Sequence, residues 1–326
     1  MREITYAQAI NEALASNLEK DERVFLMGED IGKYGGLFQV TVGLLDRFGP
    51  ERVIDTPISE TGFVGAAIGA AMTGMRPVVE VEFLDVTTCA MDMIVNQMAK
   101  IHYMFGGHGK VPMVLRTPMG AGRGGAAQHS QSFHAFFLHI PGLYVVTPST
   151  PYDAKGLLNM AILDENPVIF IEHKMLYVTT GPVPEEYYTL PFGKADIKRE
   201  GKDVTIVATH AMVRRSLAVA EEFEKEGIEI EVIDPRTLRP LDKESILESV
   251  KKTGRLIVAD EGTVSCGVAS EISAWIAEEA IEYLQAPILR VGSPDTPIPF
   301  SRPLEKIYVP DEGNVRESIN KMKEYL

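Results

Sequence analysis

The chain has 326 residues, enough for two domains with substantial hydrophobic cores, and its 45% hydrophobic and 24% charged residues are typical of a globular protein. The net charge of −14 argues against nucleic acid binding, and the longest uncharged run, Gly124–Tyr152, contains three prolines, which excludes a membrane span. Because no secretory leader opens the chain and Cys89 and Cys266 lie far apart in sequence, we expect a cytoplasmic protein with neither a disulfide framework nor a cysteine metal site.

Short apolar runs alternate with helical patterns through the first half of the chain. Predicted strands are Val24–Met27, Arg52–Ile54, Val78–Phe83, Pro112–Arg116, Leu143–Thr147 and Val168–Glu172. Predicted helices between them are Thr5–Glu19, Val42–Phe48, Thr61–Gly74, Thr87–His102 and Pro151–Asp164. This alternation indicates right-handed crossovers and a parallel sheet.

The stretch from Tyr177 to Gly201 carries three prolines and mixed charge, and we interpret it as a connection between domains. Alternation then resumes, with predicted strands Val204–Thr209, Ile228–Ile233, Leu256–Asp260 and Ile288–Val291. Predicted helices are Ala211–Lys225, Lys243–Lys252, Val268–Tyr283 and Asn314–Leu326. The sequence therefore predicts two doubly wound α/β domains with mainly parallel sheets, over residues 1–190 and 200–326.

One carboxylate, Glu60, lies where an apolar strand gives way to a helix of glycines and alanines. Small residues recur at helical spacing in that helix, namely Gly62, Gly65, Gly69 and Thr73. A helix face without large side chains lets another backbone pack closely against it. A carboxylate at the edge of such a closely packed interface is poorly hydrated, and poor hydration raises the pKa of a carboxyl group and suits it to acid–base catalysis. The local pattern alone favours a simpler interpretation, in which Ser59 caps the helix and Glu60 complements its dipole.

A glycine-rich segment, Gly120–Gly125, satisfies G-x-G-x-x-G after a predicted strand, which leaves an NAD-binding module as a distant alternative. The match is better explained as coincidence, because a dinucleotide site needs an acid about twenty positions on and the next one is Asp153.

His129 follows this glycine-rich loop and is a candidate for the rim of a site. His129, His134 and His139 repeat every five residues, so they cannot converge on a metal from one helix face. A site that combines the carboxylate of Glu60, the histidine His129 and walls of glycine residues suits proton transfer around an organic cofactor.

The segment Glu60–Ala70 is similar to the E-x₄-G-Φ-x-x-G-Φ motif of thiamine-diphosphate enzymes. The chain as a whole resembles the beta subunit of the decarboxylase component of 2-oxo acid dehydrogenases, a group that includes the pyruvate, branched-chain and acetoin dehydrogenase complexes. The resemblance runs from about Thr5 to the C-terminus. The other segments that match in order and spacing are Met27–Asp30, Asp55–Glu60, Gln128–Gln131, Pro148–Leu158 and Asp203–Pro240.

The resemblance implies a pyrimidine-binding domain of the transketolase type, a transketolase C-terminal-like domain, and two catalytic residues. Glu60 would bond the ring nitrogen of the cofactor's pyrimidine and promote the tautomer that removes the thiazolium proton, giving the ylid. His129 would face the substrate and assist acyl transfer to lipoyl. In relatives the position of Glu82 often holds an amide or apolar residue, and the position of Val86 often holds an aromatic one. These two departures leave the specificity for the acyl group open. The positions implied to line the pyrimidine pocket are Glu29, Ile58, Ser59, Glu60, Glu82 and Val86.

The metal and diphosphate half of such a site is missing, because the chain has no Gly-Asp-Gly motif. The resemblance implies that an alpha subunit holds Mg²⁺ and the diphosphate, in an assembly of two alpha and two beta chains in which the flat Gly/Ala helix packs at a subunit seam. It also implies docking to the subunit-binding and lipoyl domains of an acyltransferase core, through the C-terminal domain. A potassium ion is implied near Met113, Ala161, Ile162, Asp164 and Asn166.

The expected activity is oxidative decarboxylation of a 2-oxo acid, with pyruvate as the first candidate substrate and lipoyl as the acyl acceptor. Acetoin cleavage through the same chemistry is a close alternative, because Tyr103–Gly107 and Ile171–Lys174 resemble acetoin-type relatives. A single-chain transketolase-like enzyme is disfavoured by the missing Gly-Asp-Gly motif.

Overall fold

The computed structural model describes all 326 residues, and their contacts divide the chain into two compact units. The first unit comprises Met1–Met119 and Phe136–Phe192, and the second comprises Gly120–Ala135 and Gly193–Leu326. The division predicted between residues 190 and 200 lies close to the last of these boundaries. The packing of Gly120–Ala135 with the second unit has no counterpart in the sequence pattern.

The first unit is built on a parallel sheet. Its strands are β1 (Arg2–Thr5), β2 (Val24–Gly28), β3 (Val53–Asp55), β4 (Arg76–Glu80), β5 (Val114–Met119), β6 (Tyr144–Val146), β7 (Val168–His173) and β8 (Thr180–Val183). Six of them pair in the order β6-β7-β5-β4-β2-β3, all parallel, and β1 pairs with β8 as a separate antiparallel ribbon. The central strands are buried on both faces, which explains their continuous apolar runs.

The helices of this half are α1 (Tyr6–Lys20), α2 (Leu44–Phe48), α3 (Glu60–Met72), α4 (Ile101–Met104), α5 (Ala135–Leu138) and α6 (Pro151–Leu163). Local signals fix their starts: Thr5 and Gln8 form a capping box at α1, and Thr150 caps α6 ahead of a proline. The buried side chain of Asn17 on α1 donates to Asn159 on α6 over 2.8 Å, which joins the two helices.

The prediction of one helix over Thr87–His102 is wrong. A 3₁₀ helix spans Leu84–Ala90 and a π-helix spans Met93–Met98, and α4 is a separate single turn. The hydroxyls of Thr87 and Thr88 donate to carbonyls three residues earlier, at 2.5 and 2.8 Å, which favours the tighter 3₁₀ turn. Apolar spacing shows which side of the chain faces inward but does not distinguish these hydrogen-bond registers.

The second unit has strands β9 (Asp196–Arg199), β10 (Val204–Ala208), β11 (Ile230–Asp234), β12 (Thr237–Arg239), β13 (Leu256–Thr263) and β14 (Leu289–Ser293). Its sheet has the order β14-β13-β10-β11-β9, parallel except for β9. Its helices are α7 (Ala211–Glu224), α8 (Lys243–Thr253), α9 (Val268–Glu279), α10 (Arg302–Tyr308) and α11 (Glu312–Met322), with 3₁₀ turns at Ile281–Tyr283 and Lys323–Tyr325. A closed apolar core joins this sheet to α7 and α11.

The prediction of two α/β domains with mainly parallel sheets is confirmed. One detail needs correction, because the stretch interpreted as a plain connection contains β8 and β9. Both are strands with a single neighbour. Edge strands tolerate prolines and charged residues, and these residues removed the apolar pattern by which strands are predicted from the sequence.

Candidate active site

Three acidic side chains follow the ends of neighbouring strands in the first unit. Glu29 comes directly after β2, and Glu82 comes two residues after β4. Glu60 opens α3, the helix that follows β3. Because β2 lies between β3 and β4 in a parallel arrangement, all three acids lie at the carboxyl edge of the sheet, where α/β folds place their ligand sites. We call Glu29, Glu60 and Glu82 the carboxyl cluster.

The surroundings of Glu29 favour its protonated form. Burial first, and then the charges of Glu60 and Glu82, raise the pKa of Glu29 to about 7. Its Oε1 atom is buried without a hydrogen-bond partner. The pKa of Glu82 is also raised, by burial and then by the charges of Asp30, Glu80 and Glu60. The charges of neighbouring acids thus add to burial at both Glu29 and Glu82, and Glu29 can hold a proton near neutral pH.

Glu60 is half-buried at the first turn of α3, and its neighbours Ile58 and Ser59 are exposed. Ser59 precedes the helix, but its side chain makes no capping bond, so the simple capping interpretation lacks its hydrogen bond. Positive dipole charge at this helix end favours a carboxylate. Val86 is partly buried in the 3₁₀ helix that follows Glu82. The side chains at this end of the sheet are therefore acidic and partly accessible to solvent.

The strands β4, β5 and β7 carry a buried ionic network that sequence reasoning missed. Arg116 Nη1 donates to Glu80 Oε2 over 2.7 Å, and its Nε and Nη2 donate to the two carboxylate oxygens of Glu172 over 2.7 and 2.9 Å. The hydroxyl of Tyr177 donates to Glu172 Oε2 over 2.6 Å. Arg116 on β5 pairs in register with Phe170 on β7, and Glu172 lies two positions further along β7. No local motif shows this relation.

His129 is exposed and belongs to Gly120–Ala135, a segment of the second unit. The Gly-x-Gly-x-x-Gly stretch within this segment leads into turns, and the next helix, α5, begins at Ala135. A dinucleotide fingerprint must open a helix, so the NAD-binding alternative loses its structural context.

A pocket of about 340 Å³ lies within the second unit, beside the residues that follow His129. Two acids, Glu261 and Asp295, contribute to its wall, together with Ser132 and Tyr308. Sequence reasoning missed this pocket. The signal that could have indicated it is the acidic pair Asp260-Glu261, which directly follows four apolar residues in β13.

Four of the five residues implied for potassium lie together, where α6 ends and β7 begins, and the fifth, Met113, accepts a backbone bond from Val168 over 3.0 Å. Arg76 Nη1 donates to the carbonyls of Ile162 and Asp164 over 2.9 and 3.0 Å. The side chain of Asp164 accepts from Asn166 over 2.8 Å. Ala161 is buried just before them. The oxygens suit a monovalent cation, but a guanidinium already uses two of them.

No cluster of three or more His, Cys, Asp or Glu side chains could hold a metal ion. Cys89 and Cys266 are both free. None of the helices is both long and apolar enough to cross a membrane.

Two family models match the chain, the transketolase pyrimidine binding domain over residues 2–179 and the transketolase C-terminal domain over residues 193–315. The acetoin:2,6-dichlorophenolindophenol oxidoreductase subunit beta of Bacillus subtilis is 49% identical, over 96% of this chain and 95% of that protein. The pyruvate dehydrogenase E1 component subunit beta of Rickettsia felis is 47% identical over 99% of each chain. The 2-oxoisovalerate dehydrogenase subunit beta of Bacillus subtilis is 45% identical over 100% of each.

Among solved structures, a chain described as a split gene transketolase in an inactive beta4 tetramer matches with a TM-score of 0.81 over 99% of both chains. Its sequence identity is 24%, so the likeness shows the fold alone. The fold is therefore the two-domain, transketolase-like arrangement that the sequence predicts.

Proposed function

Because the chain belongs to the family of beta subunits from the thiamine-diphosphate-dependent decarboxylase components of 2-oxo acid dehydrogenases, we propose that it supplies the proton-transfer half of such an active site. The observation that carries this proposal is the carboxyl cluster. It gathers three acids at one sheet edge, where Glu60 opens α3 and Glu29 has a buried oxygen without a hydrogen-bond partner.

The residues of the cluster fit the aminopyrimidine ring of thiamine diphosphate. Such a ring offers both an acceptor nitrogen and an amino donor, and a site for it needs one carboxyl group that can lose or gain a proton and one that can accept an N–H. The unpartnered, buried Oε1 of Glu29 is available to a ligand's N–H. Glu60, half-buried at the first turn of α3, is the second carboxyl group, and the proton that it can carry is the donor that an acceptor ring nitrogen needs.

When bound, the cofactor supplies a thiazolium carbon that can attack a carbonyl once its proton has been removed. In our proposal Glu60 holds and releases a proton at the pyrimidine ring nitrogen, and Glu29 keeps the ring in place. Ile58, Ser59, Glu82 and Val86 would line the remaining walls. His129 would assist the later transfer of the acyl group to lipoyl.

The first candidate substrate is pyruvate, which the resemblance favours. The second is acetoin, supported by two acetoin oxidoreductase beta subunits that are each 49% identical to this chain. The chain would be purified with its alpha partner, and release of carbon dioxide from pyruvate compared with cleavage of acetoin. Turnover of either substrate that is lost in Glu60→Gln supports the family role and selects the substrate. Turnover of neither, by an assembled enzyme that binds the cofactor, would overturn both candidates.

We further propose that an alpha subunit supplies Mg²⁺ and the diphosphate site, in an assembly of two alpha and two beta chains. The missing Gly-Asp-Gly motif supports this, as does the exposed small-residue face of α3, formed by Gly62, Ala66, Gly69 and Thr73, which suits close packing against another subunit. Calorimetry on the chain without its partner should show weak binding of thiamine diphosphate with Mg²⁺ or none. Tight binding would mean that the site is complete within this chain.

We retain the potassium site as a proposal. Each carbonyl oxygen has two lone pairs, so those of Ile162 and Asp164 can accept from Arg76 and still contact an ion. Thermal unfolding in potassium chloride and in sodium chloride at equal ionic strength tests it. A higher melting temperature in potassium supports the site, and equal melting temperatures contradict it.

A further inference from the structure

The segment Gly120–Ala135, which carries His129, is held to the second unit by buried acids. Glu261 on β13 is 3% exposed, and its Oε1 accepts from the backbone N–H of Ala121 over 2.8 Å and from the hydroxyl of Ser132 over 3.2 Å. One carboxylate therefore grips the segment near both of its ends.

A second acid fixes the glycine-rich part. Glu305 on α10 is 2% exposed and accepts from the backbone N–H groups of Gly122 and Gly124 over 2.8 and 3.0 Å. Because these donors belong to the main chain, the contacts define the path of the backbone whatever side chains the segment carries.

The end of the segment after His129 is held by a buried pair. His134 Nε2 lies 2.9 Å from Asp260 Oδ1, and the two side chains are 0% and 2% exposed. Asp260 also accepts from the hydroxyl of Thr209 and, over 3.0 Å, from the backbone N–H of Gly262. The carboxylate is thus well satisfied by donors from three parts of the unit, which a buried charge requires.

His210 completes the surroundings of the pair. Its ring meets that of His134 edge-on, with centroids 5.8 Å apart and an interplanar angle of 84°. Its backbone has φ of +44°, a conformation that non-glycine residues rarely adopt and that neighbouring packing must maintain.

We propose that Asp260 is a positioning residue: through its buried pair with His134 it fixes the segment that carries His129 in the conformation used for acyl transfer. The proposal rests on the role proposed for His129 in that step. It adds a residue that acts through another and touches no substrate.

The groups that face His134 are Asp260, Glu261 and the ring of His210. Burial lowers the pKa of His134, but the charge and hydrogen bond of Asp260 outweigh burial and leave it above the ordinary 6.5. A raised histidine pKa stabilises the folded state fully below the unfolded value, and this contribution is lost as pH rises through the folded pKa. The neutral ring keeps one N–H donor, so the pair weakens at alkaline pH but still holds.

Hydrogen exchange of the assembled enzyme, monitored by mass spectrometry, tests the positioning role directly. In Asp260→Asn, peptides covering residues 122–135 should exchange about tenfold faster than in the wild type. The wild-type protection of these peptides, corrected for intrinsic exchange, should decline above pH 6.5, and the variant should not show this decline. His134→Gln, which keeps an amide donor without the charge, is the second variant should Asp260→Asn fail to fold.

Asp242→Asn is the matched control, since Asp242 is 4% exposed in the same unit and accepts backbone N–H groups of Ala195 and Ser245, outside the segment. It should leave exchange at residues 122–135 unchanged. Equal exchange there in Asp260→Asn and in the control would overturn the proposal.

A double-mutant cycle separates this proposal from the role of His129. If Asp260 acts through His129, Asp260→Asn should slow acyl transfer in the wild type and add no further loss in a His129→Ala background. Losses that multiply would overturn the positioning role. A His129→Ala variant with normal acyl transfer would refute the proposed function of His129. The hydrogen-exchange experiment would still test whether Asp260 holds the segment Gly120–Ala135 in place.

Discussion

Glu29 and Glu60 belong to one carboxyl cluster but have different surroundings. Glu29 is buried and has an oxygen without a partner, whereas Glu60 is half-buried at the positive end of α3. In the proposed site the two carboxyl groups have different tasks: Glu29 accepts a ligand's N–H, and Glu60 exchanges a proton with a ring nitrogen.

Glu60→Gln should leave folding and assembly intact but remove exchange of the thiazolium proton, because an amide cannot give or take the ring proton. General acid–base steps contribute about a hundred- to ten-thousandfold. Proton exchange in the assembled variant, measured by NMR after quenching, provides the check. Exchange at the wild-type rate would exclude Glu60 from this step.

Glu29→Gln should stabilise the folded chain at alkaline pH. With its pKa raised from 4.5 to about 7, Glu29 keeps its proton in the folded state while the unfolded chain has lost it, so folding loses stability as pH rises from 4.5 to 7. Removing the acid should increase the free energy of unfolding at pH 8 by at most about 3 kcal/mol and change it little below pH 4.5. Urea titrations between pH 4.5 and pH 8 test this expectation. The control is Glu22→Gln, because Glu22 is exposed.

Among the elements, the paired strands β4, β5 and β7 carry an ion network across the middle of the sheet. Arg116 on β5 contacts Glu80 on β4 and Glu172 on β7, so the guanidinium joins three strands. Buried ions of this kind often contribute little net stability as a set, yet removing one partner leaves the others uncompensated.

Arg116→Met should therefore lower the free energy of unfolding by about 3–5 kcal/mol, since Glu80 and Glu172 would remain buried without their counter-charge. The matched control is Arg23→Met, which removes a surface pair with Asp21 and should change the free energy of unfolding far less. Chemical denaturation of the two variants side by side gives the comparison. Similar losses in both would show that the network is as weak as a surface pair.

How far the elements could be predicted depended on where they lie. Central strands such as β2 and β10 were recognised within about a residue, because burial on both faces demands apolar, β-branched runs. The edge strand β9, with the sequence Asp-Ile-Lys-Arg, gave no such signal. Glu60 could be named as a candidate from its local pattern, which by itself favoured a helix-capping role. Glu29 and Glu82 could not, because only the strand order β3-β2-β4 brings them to it, and the resemblance supplied them instead.

At the scale of the whole molecule, the net charge of −14 is compatible with a basic protein partner, which it would attract over long range. The resemblance implies that this partner is a small subunit-binding domain of an acyltransferase core. Four acids near the C-terminus are candidates for this contact. Asp311 caps α11 through its side chain, whereas Glu312, Glu317 and Glu324 are exposed.

We expect association with such a domain to weaken with salt, because exposed charges are screened over about 8 Å at physiological ionic strength. Replacing Glu312, Glu317 and Glu324 together by Gln, with Asp311 kept, should slow association and remove most of its salt dependence. The control replaces three exposed acids of the first unit, Glu3, Glu22 and Glu51. Binding kinetics that are insensitive to salt, or equally affected by both sets, would contradict docking at this end of the chain.

The chain passes between its two units three times, after Met119, after Ala135 and after Phe192. A fragment that begins at Gly193 would therefore lack Gly120–Ala135, and Asp260, Glu261 and Glu305 would lose donors that normally satisfy them. Neither unit is a continuous stretch of the chain, so dividing the chain at a single position cannot separate one complete unit from the other. Recombination among relatives that exchanged the C-terminal part alone would combine a segment and its anchors from different parents, so we expect these two pieces to be inherited together.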